Sequence, residues 1–225
     1  MTSHPSSCFA ARREGARPDM IVLHYTAMES AEAALERLCD PEVEVSAHYL
    51  VCEKGRIWRM VDEEMRAWHA GAGRWGDVAD VNSRSIGIEL ANRGDHPFPE
   101  PQMAALEALT RGIMARWSIP PERVIAHSDM APGRKGDPGR RFDWRRLAWA
   151  GLSVWPQAGE PDADTAAFEA DAAAFGYPVA DVGTDAVLEA FRMRFRPWAE
   201  GPLCEADGAV MAALAARWPA VPEVS

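Results

Sequence analysis

Three apolar runs, MIVLHY (20–25), SIGIEL (85–90) and VIAH (124–127), constrain this chain most. Each is of strand length and carries its titratable residue at or near its C-terminal end. The runs read as buried strands, and strand ends are rigid enough to aim side chains into one shared cleft. Between the second and third, PEPQMAALEALTRGIMARW sets Met103, Leu106, Leu109, Ile113 and Trp117 at helical spacing, so one face of a helix is buried. An alanine- and leucine-rich segment after Glu29 and Ser30 reads as a helix to about Cys39. AHYLVCEKGRIWRMV reads as a hairpin turning at Lys54 and Gly55, and FDWRRLAWAGL begins a short helix packed through Phe142, Leu147 and Trp149.

The composition then changes. VWPQAGEPDAD, with its two prolines and one glycine, reads as a linker over 156–163, and no strand-like run follows. Helices are expected from about Asp164 to Ala174, Thr184 to Arg196 and Glu205 to Trp218. Leu188, Phe191 and Phe195 form a stripe on the second, and Met211, Leu214 and Trp218 on the third. The expected organisation is one domain over 1–155 and a small three-helix domain over 164–225.

With 24 Lys plus Arg against 34 Asp plus Glu, the formal net charge is -10. Nucleic acid and anionic membrane surfaces repel such a surface, so neither is expected as a partner. No run approaches the roughly 18 apolar residues that span a bilayer. The polar N-terminal stretch lacks the apolar segment of a secretion signal, so a cytoplasmic protein is expected, with a periplasmic one as the alternative. Cys8, Cys39, Cys52 and Cys204 are scattered and signal neither a disulfide framework nor a cysteine-rich zinc site.

His24 ends MIVLHY and His127 ends VIAH. Two imidazoles at strand ends are candidate metal ligands, although position alone favours two unrelated, hydrogen-bonded histidines. A third ligand changes that balance. In RKGDPG the glycine and proline flanking Asp137 fix a tight turn that can hold the carboxylate inward, a short loop beyond His127. Two neutral histidines and one carboxylate leave a tetrahedral zinc one open position for a water, whose pKa falls to about 7. Glu89, a carboxylate in an apolar strand, is the candidate general base, with a salt-bridged structural glutamate as the alternative. Lys135 is the candidate stabiliser of a developing oxyanion, with a solvated loop charge as the alternative.

The segments VLHYT, SAHYLV, WHAG, NSRSIGIELAN and AHSDMAPGRKGDPG, in that order, resemble the zinc-dependent N-acetylmuramoyl-L-alanine amidases, specifically their AmpD/AmiD type. The resemblance covers about Arg17 to Trp155. It implies an α/β fold with a central mixed sheet flanked by helices. It also implies one zinc ion per chain on His24, His127 and Asp137, with Glu89 and Lys135 as the catalytic pair. Where many phage amidases and peptidoglycan recognition proteins place a cysteine as third ligand, this chain has Asp137, as the bacterial amidases do. FGYPVADVGTDAVLEAFRMRFRP resembles the small helical peptidoglycan-binding domain that follows some of these enzymes.

The expected activity is hydrolysis of the amide between N-acetylmuramic acid, or its anhydro form, and L-alanine of peptidoglycan or muropeptide fragments. The alternative is a non-catalytic peptidoglycan-binding protein. Trp68 and Trp75 bracket a glycine-rich AGAG, and an indole face suits a pyranose, so both are expected to contact the sugar. His48 and His69 are expected either to line the cleft or to make structural hydrogen bonds. Asn82 and Arg84 are expected to meet the carboxylates of the stem peptide.

Overall fold

The computed structural model describes residues 1–157 and 164–220. Its strands are β1 (Thr2–Ser3), β2 (Phe9–Ala11), β3 (Met20–Tyr25), β4 (Tyr49–Val51), β5 (Ile57–Arg59), β6 (Met65–Ala67), β7 (Ser85–Leu90) and β8 (Val124–Ala126). Its α-helices are α1 (Ala31–Cys39), α2 (Val81–Arg84), α3 (Glu100–Trp117), α4 (His127–Met130), α5 (Trp144–Trp149), α6 (Thr165–Phe175), α7 (Val179–Val182), α8 (Thr184–Phe195) and α9 (Glu205–Arg217). The six-stranded sheet runs β1-β5-β4-β7-β3-β8, and β2 pairs with β6 in a separate ribbon. The sheet is mixed: β3 lies parallel to β7 and β8, and β7 parallel to β4, while β4 and β5 form the antiparallel hairpin.

Side-chain alternation divides the strands between two layers. Ile21, Leu23, Ile86, Ile88, Leu90, Val124 and Ala126 point to one face, which α3 and α5 cover with Met103, Leu106, Leu109, Ile113 and Leu147. Met20, Val22 and Ile125 point to the other, against Phe168, Phe175, Phe191, Phe195, Met211 and Leu214 of the C-terminal helices. Residues 164–220 therefore share a core with the sheet and do not close a separate one. Most of the expected linker, 158–163, lies outside the described residues.

Local signals explain the element ends. The Ser30 side chain accepts a hydrogen bond from the Ala33 N–H and caps α1, and Asp143 caps α5 in the same way. Gly55 turns the hairpin with a φ of 80°. Two expectations need correction. His127 does not end a strand but opens α4, because the side chain of Asp129 accepts from the Ala126 N–H and stops the extended run there. Trp149 does not pack in the core: it is 76% exposed, with the Arg145 guanidinium over its ring. Among the described residues, no helix is long and apolar enough to cross a membrane.

Candidate metal centre and active site

Parallel pairing brings the C-terminal ends of β3, β7 and β8 together at one edge of the sheet, with β3 in the middle. His24 lies on β3 and His127 follows β8, while the loop after α4 returns so that the Asp137 carbonyl accepts a hydrogen bond from the Ser128 N–H. The result is a buried cluster. His24 Nδ1 and His127 Nδ1 are 2.9 Å apart, and each is 3.0 Å from Asp137 Oδ2. Among the described residues, this is the group of three whose donor atoms converge as metal ligands would.

The donor set fits a small divalent cation. His127 Nε2 donates to the Ala70 carbonyl at 2.9 Å, which leaves a lone pair on Nδ1, facing the carboxylate oxygen. Unshared pairs brought this close repel unless a cation or a proton lies between them. Tetrahedral donors around zinc, with Zn–N bonds of about 2.0–2.1 Å, sit about 3.3 Å apart, close to the spacing here. Burial, and next to it His127, lowers the His24 imidazole to a pKa of about 4, so it is in the neutral, ligating form at neutral pH.

Glu89 stands beside His24 in the β3–β7 register. Its Oε2 is buried and has no hydrogen-bond partner. Burial first, and the Asp137 charge second, push its carboxyl up to about 8 against the opposing effect of Lys135. A carboxyl held this way is poised to exchange a proton near neutrality. These groups open into a cleft of about 410 Å³ lined by Tyr25, Arg37, Trp68, His69, Arg134 and Lys135 besides the cluster and Glu89.

The remaining expected contacts divide. Trp68 and His69 line the cleft. Trp75 does not: it is 1% exposed, edge-on to Phe175 and Tyr177, and cannot present a face to a sugar. His48 is fully buried, accepting from the Gly87 N–H on Nδ1 and donating from Nε2 to the Met65 carbonyl. Asn82 spends its side-chain oxygen on the N–H groups of His69 and Ala70, so it shapes the WHAG segment and does not face the cleft. Arg84 pairs with Asp19 at the opposite end of the strands, in a separate groove of about 680 Å³.

Sequence reasoning passed over Asp129, Tyr177 and Arg194. Asp129 is fully buried between the Arg194 guanidinium and the Tyr177 hydroxyl, which donates to it at 2.7 Å. Arg194 also donates to the Val124 carbonyl and the Ser153 hydroxyl, and its guanidinium lies 4.4 Å from the centre of the Trp144 ring. Helix α8 is thus tied directly to the segment that carries His127. Two arginines, Arg192 and Arg194, among the apolar residues of a helix were the available signal, and the partner of Arg194, 65 positions away, was not.

The family model for N-acetylmuramoyl-L-alanine amidase matches residues 14–140, the stretch that supplies every member of this cluster. The chain belongs to the N-acetylmuramoyl-L-alanine amidase family. It is 39% identical over 212 residues to N-acetylmuramoyl-L-alanine amidase AmiD of Escherichia coli, covering 80% of this chain and 76% of that one. The solved complex of E. coli AmiD with anhydro-N-acetylmuramic acid-L-Ala-D-gamma-Glu-L-Lys superposes with a TM-score of 0.82 at 36% identity, covering 92% of each chain. AmpDH3 of Pseudomonas aeruginosa, in complex with anhydromuramic pentapeptide, gives 0.79 at 30% identity over 94% of this chain and 96% of that one. Both likenesses extend past the family match into the C-terminal helices, in keeping with the shared core. The α/β fold with a central mixed sheet flanked by helices is thereby that of the amidase family.

Proposed function

We infer that this amidase hydrolyses the bond between the lactyl carboxyl of N-acetylmuramic acid, or its anhydro form, and L-alanine of peptidoglycan fragments. One zinc ion would be held by His24, His127 and Asp137. The observation that carries the reading is the convergence of three lone-pair donors beside an unpartnered carboxyl, in a chain of this family. That AmiD and AmpDH3 were solved with anhydromuramyl peptides supports the substrate class and favours catalysis over a binding-only role.

Bound there, zinc supplies Lewis-acid polarisation of the scissile carbonyl and lowers the pKa of a water at its open position. The protein's own groups do the rest. Glu89 takes a proton from the attacking water and returns it to the nitrogen of L-alanine as the C–N bond breaks, leaving a carboxylate on the lactyl group and a free amine on the peptide. The Lys135 ammonium, which lines the cleft, offsets negative charge as it grows on the carbonyl oxygen. Trp68, partly exposed in the cleft, offers an indole face to the sugar.

The test is incubation of the zinc-loaded protein with anhydro-N-acetylmuramyl-L-Ala-γ-D-Glu-L-Lys, with products read by mass spectrometry. Free sugar acid and a tripeptide with an unblocked L-alanine are expected. No release from protein carrying one zinc per chain, together with sacculus binding that survives chelation, would replace this reading with the binding-only one.

A further inference from the structure

His69 is not a ligand donor, yet its ring is held by both nitrogens. Its Nδ1 is 3.0 Å from His24 Nε2, and its Nε2 is 3.2 Å from the Ser85 hydroxyl oxygen. Ser85 in turn lies 2.5 Å from the Val81 carbonyl. We propose that His69 and Ser85 are positioning residues of the metal centre, forming a one-way hydrogen-bond chain that holds His24 in the tautomer whose Nδ1 carries a lone pair. The inference rests on the metal-dependent amidase reading and assigns to this chain the orientation of its first ligand.

The direction follows from the far end. A backbone carbonyl accepts and never donates, so the Ser85 proton goes to Val81. Ser85 Oγ then accepts from His69 Nε2–H. A neutral imidazole protonated at Nε2 has its lone pair on Nδ1, and that pair accepts from His24 Nε2–H. His24 is left with a lone pair on Nδ1, the atom that faces His127 and Asp137. His127 is oriented more simply, by one bond to the Ala70 carbonyl. Partners of this kind fix tautomer and ring angle and raise ligand basicity.

The place of His69 is built by the same strand. A Cβ at Gly87 would come within 2.4 Å of His69 Cγ, so glycine is what leaves room for the ring. Asn82 Oδ1 accepts from the N–H groups of His69 and Ala70 and fixes the backbone there. Alternate positions of β7 therefore supply the anchor at Ser85, the space at Gly87 and the candidate base at Glu89, all on one face.

Two measurements test the chain without relying on turnover. Imidazole ¹⁵N spectra of the zinc-loaded protein are expected to show His24 and His69 both protonated at Nε2. In competition with a chromophoric chelator, His69→Phe is expected to lose about 10- to 100-fold in zinc affinity. Ser85→Ala should lose less, and His69→Gln, which keeps an acceptor and a donor, should recover part of the loss. A His69 proton on Nδ1 in the unmodified protein, or zinc affinity within twofold of the unmodified protein in His69→Phe, would overturn the proposal while leaving the amidase reading intact. Failure of the unmodified protein to bind zinc would overturn both.

Discussion

His24 and Glu89 occupy the same rung of the sheet, paired in register across parallel strands β3 and β7, so their side chains leave the same face side by side. That one relationship puts a candidate metal ligand and an unpartnered carboxyl into a common cleft. It follows from two strand-length apolar runs docking with Met20 opposite Ser85, since every later pair is then set.

Glu89→Gln tests the base. Loss of the proton shuttle is expected to lower kcat by about 10²- to 10⁴-fold while zinc still binds. The same change has an opposite effect on stability. The folded-state pKa of Glu89 is raised to about 8, so the folded protein holds a proton that the unfolded chain releases near 4.5, and stability falls as pH rises between those values. Metal-free Glu89→Gln should therefore melt higher than the unmodified metal-free protein at pH 8, by roughly 3–5 kcal/mol at most, and by little at pH 5. Equal melting of the two proteins at pH 8 would contradict the buried, unpaired state.

The buried histidines predict acid sensitivity. Burial lowers His24 to about 4 and His48 to about 3, and holds His69 well below its usual range. Each is neutral in the folded metal-free protein, whereas the unfolded chain takes up a proton below about 6.5. Stability is thus lost as pH falls from 6.5 toward 4, at up to about 1.4 kcal/mol per unit for each histidine, with the opposite effect of Glu89 offsetting about one histidine's share down to 4.5. Denaturant midpoints at pH 7, 6 and 5 check this, and a midpoint unchanged down to pH 5 would refute it. His48→Gln should flatten the slope without removing any metal ligand.

The link between Arg194 and Asp129 predicts that the C-terminal helices support the candidate metal site. Arg194→Ala leaves the buried Asp129 side chain short of its partner, a change that costs about 3–5 kcal/mol. Thermal melting should fall accordingly. Zinc affinity should fall with it, because Asp129 sits two residues after His127 on α4. A protein truncated before 164 is expected to aggregate or lose metal, since Met20, Val22 and Ile125 would then face water. A folded, zinc-binding 1–157 fragment would instead favour the separate peptidoglycan-binding module that the sequence suggests.

Much of this site is legible from residue order because it is built from strand ends and tight turns. His24, Glu89 and His127 are marked by being polar at the ends of apolar runs, and Asp137 by the glycine and proline around it. The supporting residues carry no such mark. Asn82 and Arg84 both look like exposed polar residues before a strand, yet one is bonded under WHAG and the other turns to Asp19 at the far end of the sheet. Both lie on α2 at the start of β7, and their fates depend on which way each side chain leaves that turn, a tertiary property. The separate C-terminal domain was suggested by a real change in composition, from strands to helices. Such a change does not reveal whether the helices close their own core or complete the sheet's.

The two tryptophans that bracket AGAG give the sharpest contrast, because sequence context treats them alike. Trp68 lines the cleft, while Trp75 is enclosed by Phe175 and Tyr177, with a Cβ at Gly176 coming within 2.7 Å of its ring. Trp68→Ala is therefore expected to raise KM for the anhydromuramyl peptide about tenfold, with a change in stability below about 1 kcal/mol. Trp75→Ala opens a cavity between the sheet and α6 and should cost about 3–5 kcal/mol. KM for whatever fraction remains folded should be unchanged. Steady-state kinetics beside denaturant unfolding separates the two effects, and a Trp75→Ala protein of normal stability with a raised KM would return Trp75 to the sugar site.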